Sequence, residues 1–118
     1  MVEIRAVSVV MDCADPRALV AWWSRLTGWE VRSEYNDWCS LLRPDGTSLG
    51  FQKVPEPKVA KNRVHLDLSV RDEEEAAAWA VEELGARRLW RSDDPEDPFV
   101  VLADLEGNEF CFVRAPDG

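Results

Sequence analysis

A chain of 118 residues with 46% hydrophobic side chains can fill the core of one ordinary domain, which excludes a disordered tail. Its formal net charge of −9, from 14 basic and 23 acidic side chains, sets up a field that repels phosphate backbones and argues against nucleic acid as a partner. No stretch approaches the roughly 18 apolar residues of a membrane span, Met1-Val2-Glu3-Ile4-Arg5 lacks a charged-then-apolar leader pattern, and Cys13, Cys39 and Cys111 form no C-x-x-C pair, so a cytoplasmic protein without disulfides or membrane association is expected.

In chain order, Val7-Ser8-Val9-Val10-Met11-Asp12 comes first, a short run of β-branched and apolar residues that reads as a strand. Asp15 then stands where a helix N-cap belongs, and Pro16 takes the first helical position, where its missing N–H costs nothing. The spacing of Leu19, Trp22, Trp23 and Leu26 makes one apolar face and predicts a helix over about Pro16–Thr27, ended by Gly28 as a left-handed cap. Strands follow at about Trp29–Glu34, Trp38–Leu42 and Ser48–Val54, with Pro44-Asp45-Gly46 as a tight turn. The polar, proline-bearing stretch Pro55-Glu56-Pro57-Lys58-Val59-Ala60-Lys61-Asn62 has no periodicity and reads as a linker. Val64-His65-Leu66-Asp67-Leu68-Ser69 then opens the same order again. Asp72 caps a helix over about Glu73–Leu84, whose apolar face takes Ala76, Trp79 or Ala80, and Leu84, and Gly85 ends it. Strands follow at about Arg87–Arg91, Phe99–Ala103 and Glu109–Arg114, turning at Leu105-Glu106-Gly107-Asn108.

The recurrence is an internal repeat. An offset of 57 carries Asp15 to Asp72, Trp22 to Trp79 and Gly28 to Gly85, and an offset of 61 carries Leu41 to Leu102, Gly46 to Gly107 and Phe51 to Phe112. The four residues of difference fit in the acidic segment Ser92 to Pro98, where a hairpin loop absorbs an insertion cheaply. The fold class expected is α+β: two βαβββ modules, about 1–55 and 63–118, joined by a linker at 56–62 in one domain. A helix covers one side of each sheet, and the other side needs a partner. The second module is expected to supply it, giving a cupped, partly closed mixed β-barrel with helices outside and a shared cavity within. The acidic runs Asp72-Glu73-Glu74-Glu75 and Asp93-Asp94-Pro95-Glu96-Asp97 read as a solvated helix start and a solvated hairpin.

Several segments spread over nearly the whole chain carry a family resemblance: Asp12-Cys13-Ala14-Asp15-Pro16, Trp22-Trp23 through Leu26-Thr27-Gly28-Trp29, Arg63-Val64-His65-Leu66-Asp67-Leu68, Leu84-Gly85-Ala86 and Asp104-Leu105-Glu106-Gly107-Asn108-Glu109-Phe110-Cys111. By these the chain resembles the vicinal-oxygen-chelate superfamily, the glyoxalase, bleomycin-resistance and dioxygenase fold, and looks closest to its short glyoxalase-like members. The resemblance leaves the reaction open, because the superfamily holds lyases, isomerases, ring-cleaving dioxygenases, thiol transferases and non-catalytic drug-binding proteins. In its metal-using members four side chains from the first and last strands of the two modules bind one divalent ion. That pattern falls here on Ser8 and Gly50, then on His65 and Cys111. The usual occupants are His or Glu, and only His65 keeps a strong ligand. Gly50 has no side chain, Ser8 is weak, and Cys111 suits a soft metal, whereas magnesium, manganese and iron prefer oxygen and imidazole. No cofactor is expected. A divalent metal would have to rely on His65 with most usual ligands missing.

By the family pattern the cavity face carries His65 and Asp67, two apart on one strand. Counting by twos adds Glu109 beside Cys111, Gln52 beside Gly50, and Asp12 with Ser8, while Phe110, Phe112, Leu49 and Phe51 turn to the helix side. A histidine with a neighbouring carboxylate can act as a general base; the plainer reading is a hydrogen-bonded pair that orders the strands. Among the six tryptophans, Trp22 and Trp79 are expected in the core, while Trp38 and Trp90 either stack on a flat ligand or fill space between sheets. Lys53, Lys58, Lys61 and Arg63 either clamp an anion or form a solvated linker. The reading that results is a small-molecule-binding protein using Ser8, Asp12, Trp38, Gln52, Glu109 and Cys111, without a catalytic metal. The alternative is a lyase or isomerase, metal-dependent or using His65 and Asp67 as acid and base. A homodimer is expected from the exposed sheet edges of such small domains.

Overall fold

The repeat is kept element by element in the computed structural model, which describes residues 2–115. The order is β1 (Ser8–Cys13), α1 (Pro16–Thr27), β2 (Glu30–Glu34), β3 (Trp38–Leu42), β4 (Ser48–Lys53), β5 (Leu66–Val70), α2 (Glu73–Leu84), β6 (Arg87–Arg91), β7 (Phe99–Ala103) and β8 (Glu109–Arg114). The chain divides between Lys58 and Val59 into two compact units. Each is a βαβββ module with a four-stranded mixed sheet, ordered β1-β4-β3-β2 in the first and β5-β8-β7-β6 in the second, so the fold is α+β as expected. The first and last strands of each unit pair in parallel and the others antiparallel.

The two offsets hold at the level of strand register. Val10 lies opposite Gly50 in the first sheet, and Asp67 opposite Cys111 in the second, each position shifted by 57 or 61. The irregularity between Val31 and Ser33 recurs between Arg88 and Trp90, again 57 residues on. The extra four residues fall between β6 and β7. Boundaries differ slightly from expectation: β5 begins at Leu66 rather than Val64, which leaves His65 immediately ahead of the strand.

Local chemistry explains both helices. The Asp15 side chain accepts from the Ala18 N–H, and that of Asp72 from the N–H groups of Glu74 and Glu75, which satisfies otherwise orphaned donors at each N-terminus. Gly28 and Gly85 close the helices at φ 77° and 70°, a region that L side chains enter only with strain. On the helix-covered face of the first sheet Leu41, Leu49 and Phe51 are buried, as are Leu19, Val20 and Trp23 of α1. In the second unit Val100, Leu102, Phe110 and Phe112 are buried along with Ala77, Ala80 and Leu84 of α2.

Two expectations are corrected here. Trp79 is not in the core: it is 42% exposed, whereas its repeat equivalent Trp22 is 5% exposed. The buried stripe of α2 runs through Glu73, Ala77, Ala80 and Leu84, and Trp79 stands beside it. Trp22 packs edge-on against Trp23 with ring centroids 5.6 Å apart, but the counterpart of Trp23 in α2 is Ala80, which offers no ring. The acidic start of α2 is not simply solvated either. Glu73 is 1% exposed. Arg114 of β8 donates to its carboxylate from Nε at 2.7 Å and from Nη2 at 2.9 Å, and Arg91 of β6 stands 3.7 Å away. Glu74 accepts from Arg88 Nη2 at 3.0 Å and from Arg91. Together these pairs tie the edge strand β6 and the inner strand β8 of the second sheet to one helix terminus, where negative charge is also favoured by the helix dipole. Burial pushes the Glu73 carboxyl up, but the paired arginines outweigh it and hold it below its ordinary value. Hydrogen bonds from Arg88 and Arg91 pull Glu74 from 4.5 down to about 2.

A carboxylate with a lowered folded-state pKa contributes stability above its ordinary value and loses it as pH falls toward the folded one. The unfolding free energy of the protein should therefore fall between pH 4.5 and about pH 2, and Glu74→Gln should flatten that decline in an acid titration followed by circular dichroism. Urea unfolding checks the tryptophan correction: Trp22→Ala should cost about 3–5 kcal/mol, and Trp79→Ala less than about 1 kcal/mol.

Candidate functional site

Because side chains alternate along a strand, the residues between the buried ones emerge on the face of each sheet away from its helix. In the first sheet these are Ser8, Val10 and Asp12 of β1, Ser48, Gly50 and Gln52 of β4, and Trp38 and Ser40 of β3, adjacent through the pairs Val10–Gly50, Asp12–Gln52, Trp38–Gln52 and Ser40–Gly50. The hydroxyls of Ser8 and Ser48 share a 2.7 Å hydrogen bond. The indole of Trp38 lies across Gly50. Its Cζ3 and Cζ2 are 2.9 and 3.0 Å from the point where a Cβ on residue 50 would stand, and Cη2 is nearer still. Ser40, alongside, is buried.

In the second sheet the same face carries Asp67 on β5 and Cys111 opposite it on β8. His65 reaches this pair from the residue before β5, with Nε2 3.3 Å from Asp67 Oδ1. The donor atoms of His65, Asp67 and Cys111 all lie within 4.8 Å of one another. His65 and Asp67 are solvent-accessible while Cys111 is buried. Burial, then the charge of Asp67 and a hydrogen bond to it, push the Cys111 thiol up to about 11, so it stands as a protonated donor at neutral pH. Glu109 sits two residues before Cys111, and its backbone is braced by Asn62. The Glu109 N–H donates to Asn62 Oδ1 at 2.8 Å, and Asn62 Nδ2 donates to the carbonyls of Glu109 and Val64 at 3.2 and 2.7 Å. Asn62 thus fixes the stretch that delivers His65 against the start of β8. Trp90 and Phe99 meet edge-on on this face at 5.4 Å, with Trp90 largely exposed.

Of the residues expected at the site, His65, Asp67 and Cys111 form one cluster with Glu109 beside it, while Ser8, Asp12, Trp38 and Gln52 share the open face of the other sheet. Contributors that were not anticipated include Asn62, Ser40, Ser48 and Phe99. Phe99 was within reach, since the offset of 61 that relates Gly50 to Cys111 also relates Trp38 to Phe99. Chemically, Asp67 sits between a histidine and a thiol, an arrangement able to hold and pass a proton near solvent. The superfamily's four-ligand metal pattern does not fit these residues. Gly50 supplies no donor and an indole fills the space of one, and the Ser8 hydroxyl is engaged by Ser48, so the first unit offers neither of its two ligands. A separate open depression of about 920 Å³ lies beside α2, lined by Val70, Asp72, Glu75, Trp79 and Arg114, and none of the expected site residues borders it.

The two βαβββ modules are the architecture implied by the resemblance to the vicinal-oxygen-chelate superfamily, the glyoxalase, bleomycin-resistance and dioxygenase fold. Within it the chain belongs to the glyoxalase-like domain family, whose model matches residues 8–113. Solved structures with the same fold include the bleomycin-binding protein of bleomycin-producing Streptomyces verticillus complexed with copper(II)-bleomycin, which is 20% identical at a TM-score of 0.66 over 98% of this chain and 99% of that one. A glyoxalase/bleomycin resistance protein/dioxygenase family enzyme from Burkholderia phytofirmans PsJN is 16% identical at a TM-score of 0.75, covering 91% and 95%. The fosfomycin resistance protein FosX from Mesorhizobium loti is 13% identical at a TM-score of 0.72, covering 98% and 94%. At these identities the likeness is one of fold. No curated protein matches the chain. No helix among the described residues is long and apolar enough to cross a membrane.

The electrostatics of the cluster can be read from thiol chemistry. Alkylation of Cys111 in a Cys13→Ser, Cys39→Ser background should be slow at pH 8 and rise with a midpoint near the value of about 11 that its surroundings impose. Asp67→Asn removes the negative charge beside the thiol and should move that midpoint down.

Proposed function

We propose that this protein binds a small organic molecule, flat or amphipathic, on the open faces of its sheets and does so without a catalytic metal. The observation that carries this reading is the indole of Trp38 laid across Gly50, which puts an aromatic surface where the superfamily places a metal ligand. The edge-on pair Trp90 and Phe99 adds aromatic surface on the second sheet, and Ser8, Asp12, Gln52, Asp67, Glu109 and Cys111 supply the few polar groups that fix a ligand's orientation. The copper(II)-bleomycin carried by the Streptomyces verticillus protein shows that this fold can hold an organic guest. In this reading the protein is a cytoplasmic homodimer; sedimentation at micromolar concentration tests the assembly.

A second reading rests on a specific contact. The 3.3 Å approach of His65 to Asp67 suits acid–base work on a bound substrate in a lyase or isomerase reaction. His65→Ala would then abolish turnover and leave the fold intact.

Intrinsic tryptophan fluorescence across a panel of aromatic and amphipathic metabolites separates the readings. The binding reading expects saturable quenching unaffected by chelator, with affinity falling roughly tenfold, about 1.4 kcal/mol, in Trp38→Ala. A stoichiometric metal in the purified protein that disappears in His65→Ala would overturn it.

A further inference from the structure

We propose that Trp38 and Gly50 are one coupled device: glycine at 50 exists to seat the indole, and the seated indole closes this strand position to any side chain, a metal ligand included. The inference rests on the metal-free reading above. It is tested by stability, so its failure and that of ligand binding are told apart.

The backbone does not require glycine here. Among the described residues, those at positive φ are Gly28, Gly46, Gly85 and Gly107, and Gly50 is not one of them. It lies in the middle of β4, paired with Val10 on one side and Ser40 on the other, in a conformation open to any residue. Glycine weakens a strand, through backbone entropy and the lack of a side chain to pack, and so stands within one where another group approaches closely. That group is identifiable: the three atoms nearest to a Cβ on residue 50 are all indole carbons of Trp38, two of them at 2.9 and 3.0 Å. Gly50 is buried and Trp38 half-buried, so the ring is held against the sheet. A ring in a packed position cannot yield as a long flexible side chain would.

The second unit serves as an internal control. Its equivalent of Gly50 is Cys111, and its equivalent of Trp38 is Phe99, a smaller ring engaged edge-on with Trp90. There a side chain and an aromatic coexist on the same two positions. The loss of a ligand position in the first unit therefore does not amount to one missing residue. Replacing Gly50 with Glu or His cannot restore a donor while Trp38 keeps its place.

A double-mutant cycle read by thermal unfolding decides this. Gly50→Ala should lower Tm by about 5 °C or more in the otherwise unchanged protein, as overpacking does. In the Trp38→Ala background the same change should lower Tm by less than half as much, or raise it, because alanine loses less chain entropy than glycine. Gly50→Glu should follow the same pattern, folding in the Trp38→Ala background and losing folded protein without it. Should Gly50→Ala leave Tm unchanged, or keep half or more of its penalty when Trp38 is removed, the proposal is overturned.

Discussion

The rest of the structure depends on the alternation of side chains along each strand once one face of the sheet is covered by a helix. In the inner strands β3, β4, β7 and β8 alternate residues are committed to packing against α1 or α2, which is why Leu41, Leu49 and Phe51 recur as Leu102, Phe110 and Phe112 at a fixed offset and all are buried. The intervening residues are released from that duty. The polar groups of the two open faces, Ser8, Asp12 and Gln52 in one sheet and Asp67, Glu109 and Cys111 in the other, stand at released positions, and His65 joins them from the residue ahead of β5.

Duplication of the unit lets equivalent released positions diverge while the frame stays fixed. The pair Val10–Gly50 in one sheet is Asp67–Cys111 in the other, and Trp38 is matched by Phe99. The first unit thus presents an aromatic surface laid over its own backbone. The second presents a histidine, a carboxylate and a protonated thiol within a few ångströms of one another, with Asn62 holding the approach to His65 in place. Similar fold and different face chemistry is what a family with many activities requires. It is also why likeness of fold to an antibiotic-binding protein and to a resistance protein does not itself choose between binding and catalysis.

Much of the architecture was legible because it is encoded locally. Asp15, Pro16 and Gly28 fix the ends of α1, Asp72 and Gly85 those of α2, and both helices begin and end where those residues place them. The repeat located the inserted residues between β6 and β7. Less was legible where tertiary contacts decide. Trp79 has the same place in the repeat as Trp22, yet its burial depends on whether the next position holds Trp or Ala. Glu73 sits in a run of acids typical of a solvated helix start, and its burial rests on Arg114, far along the chain. Gly50 read as a missing ligand; only the side-chain direction of Trp38, twelve residues earlier, turns the gap into a filled space.

The central claim is that binding occurs on the released faces and not beside the helices. Amide chemical-shift mapping of nitrogen-labelled protein, titrated with an aromatic compound that quenches its fluorescence, tests this most directly. The shifted amides should cluster at Trp38, Gly50 and Gln52 and at Asp67, Trp90, Phe99 and Cys111. Shifts confined to the outer face of α2 around Trp79 and Glu75, with those strand positions unmoved, would contradict it.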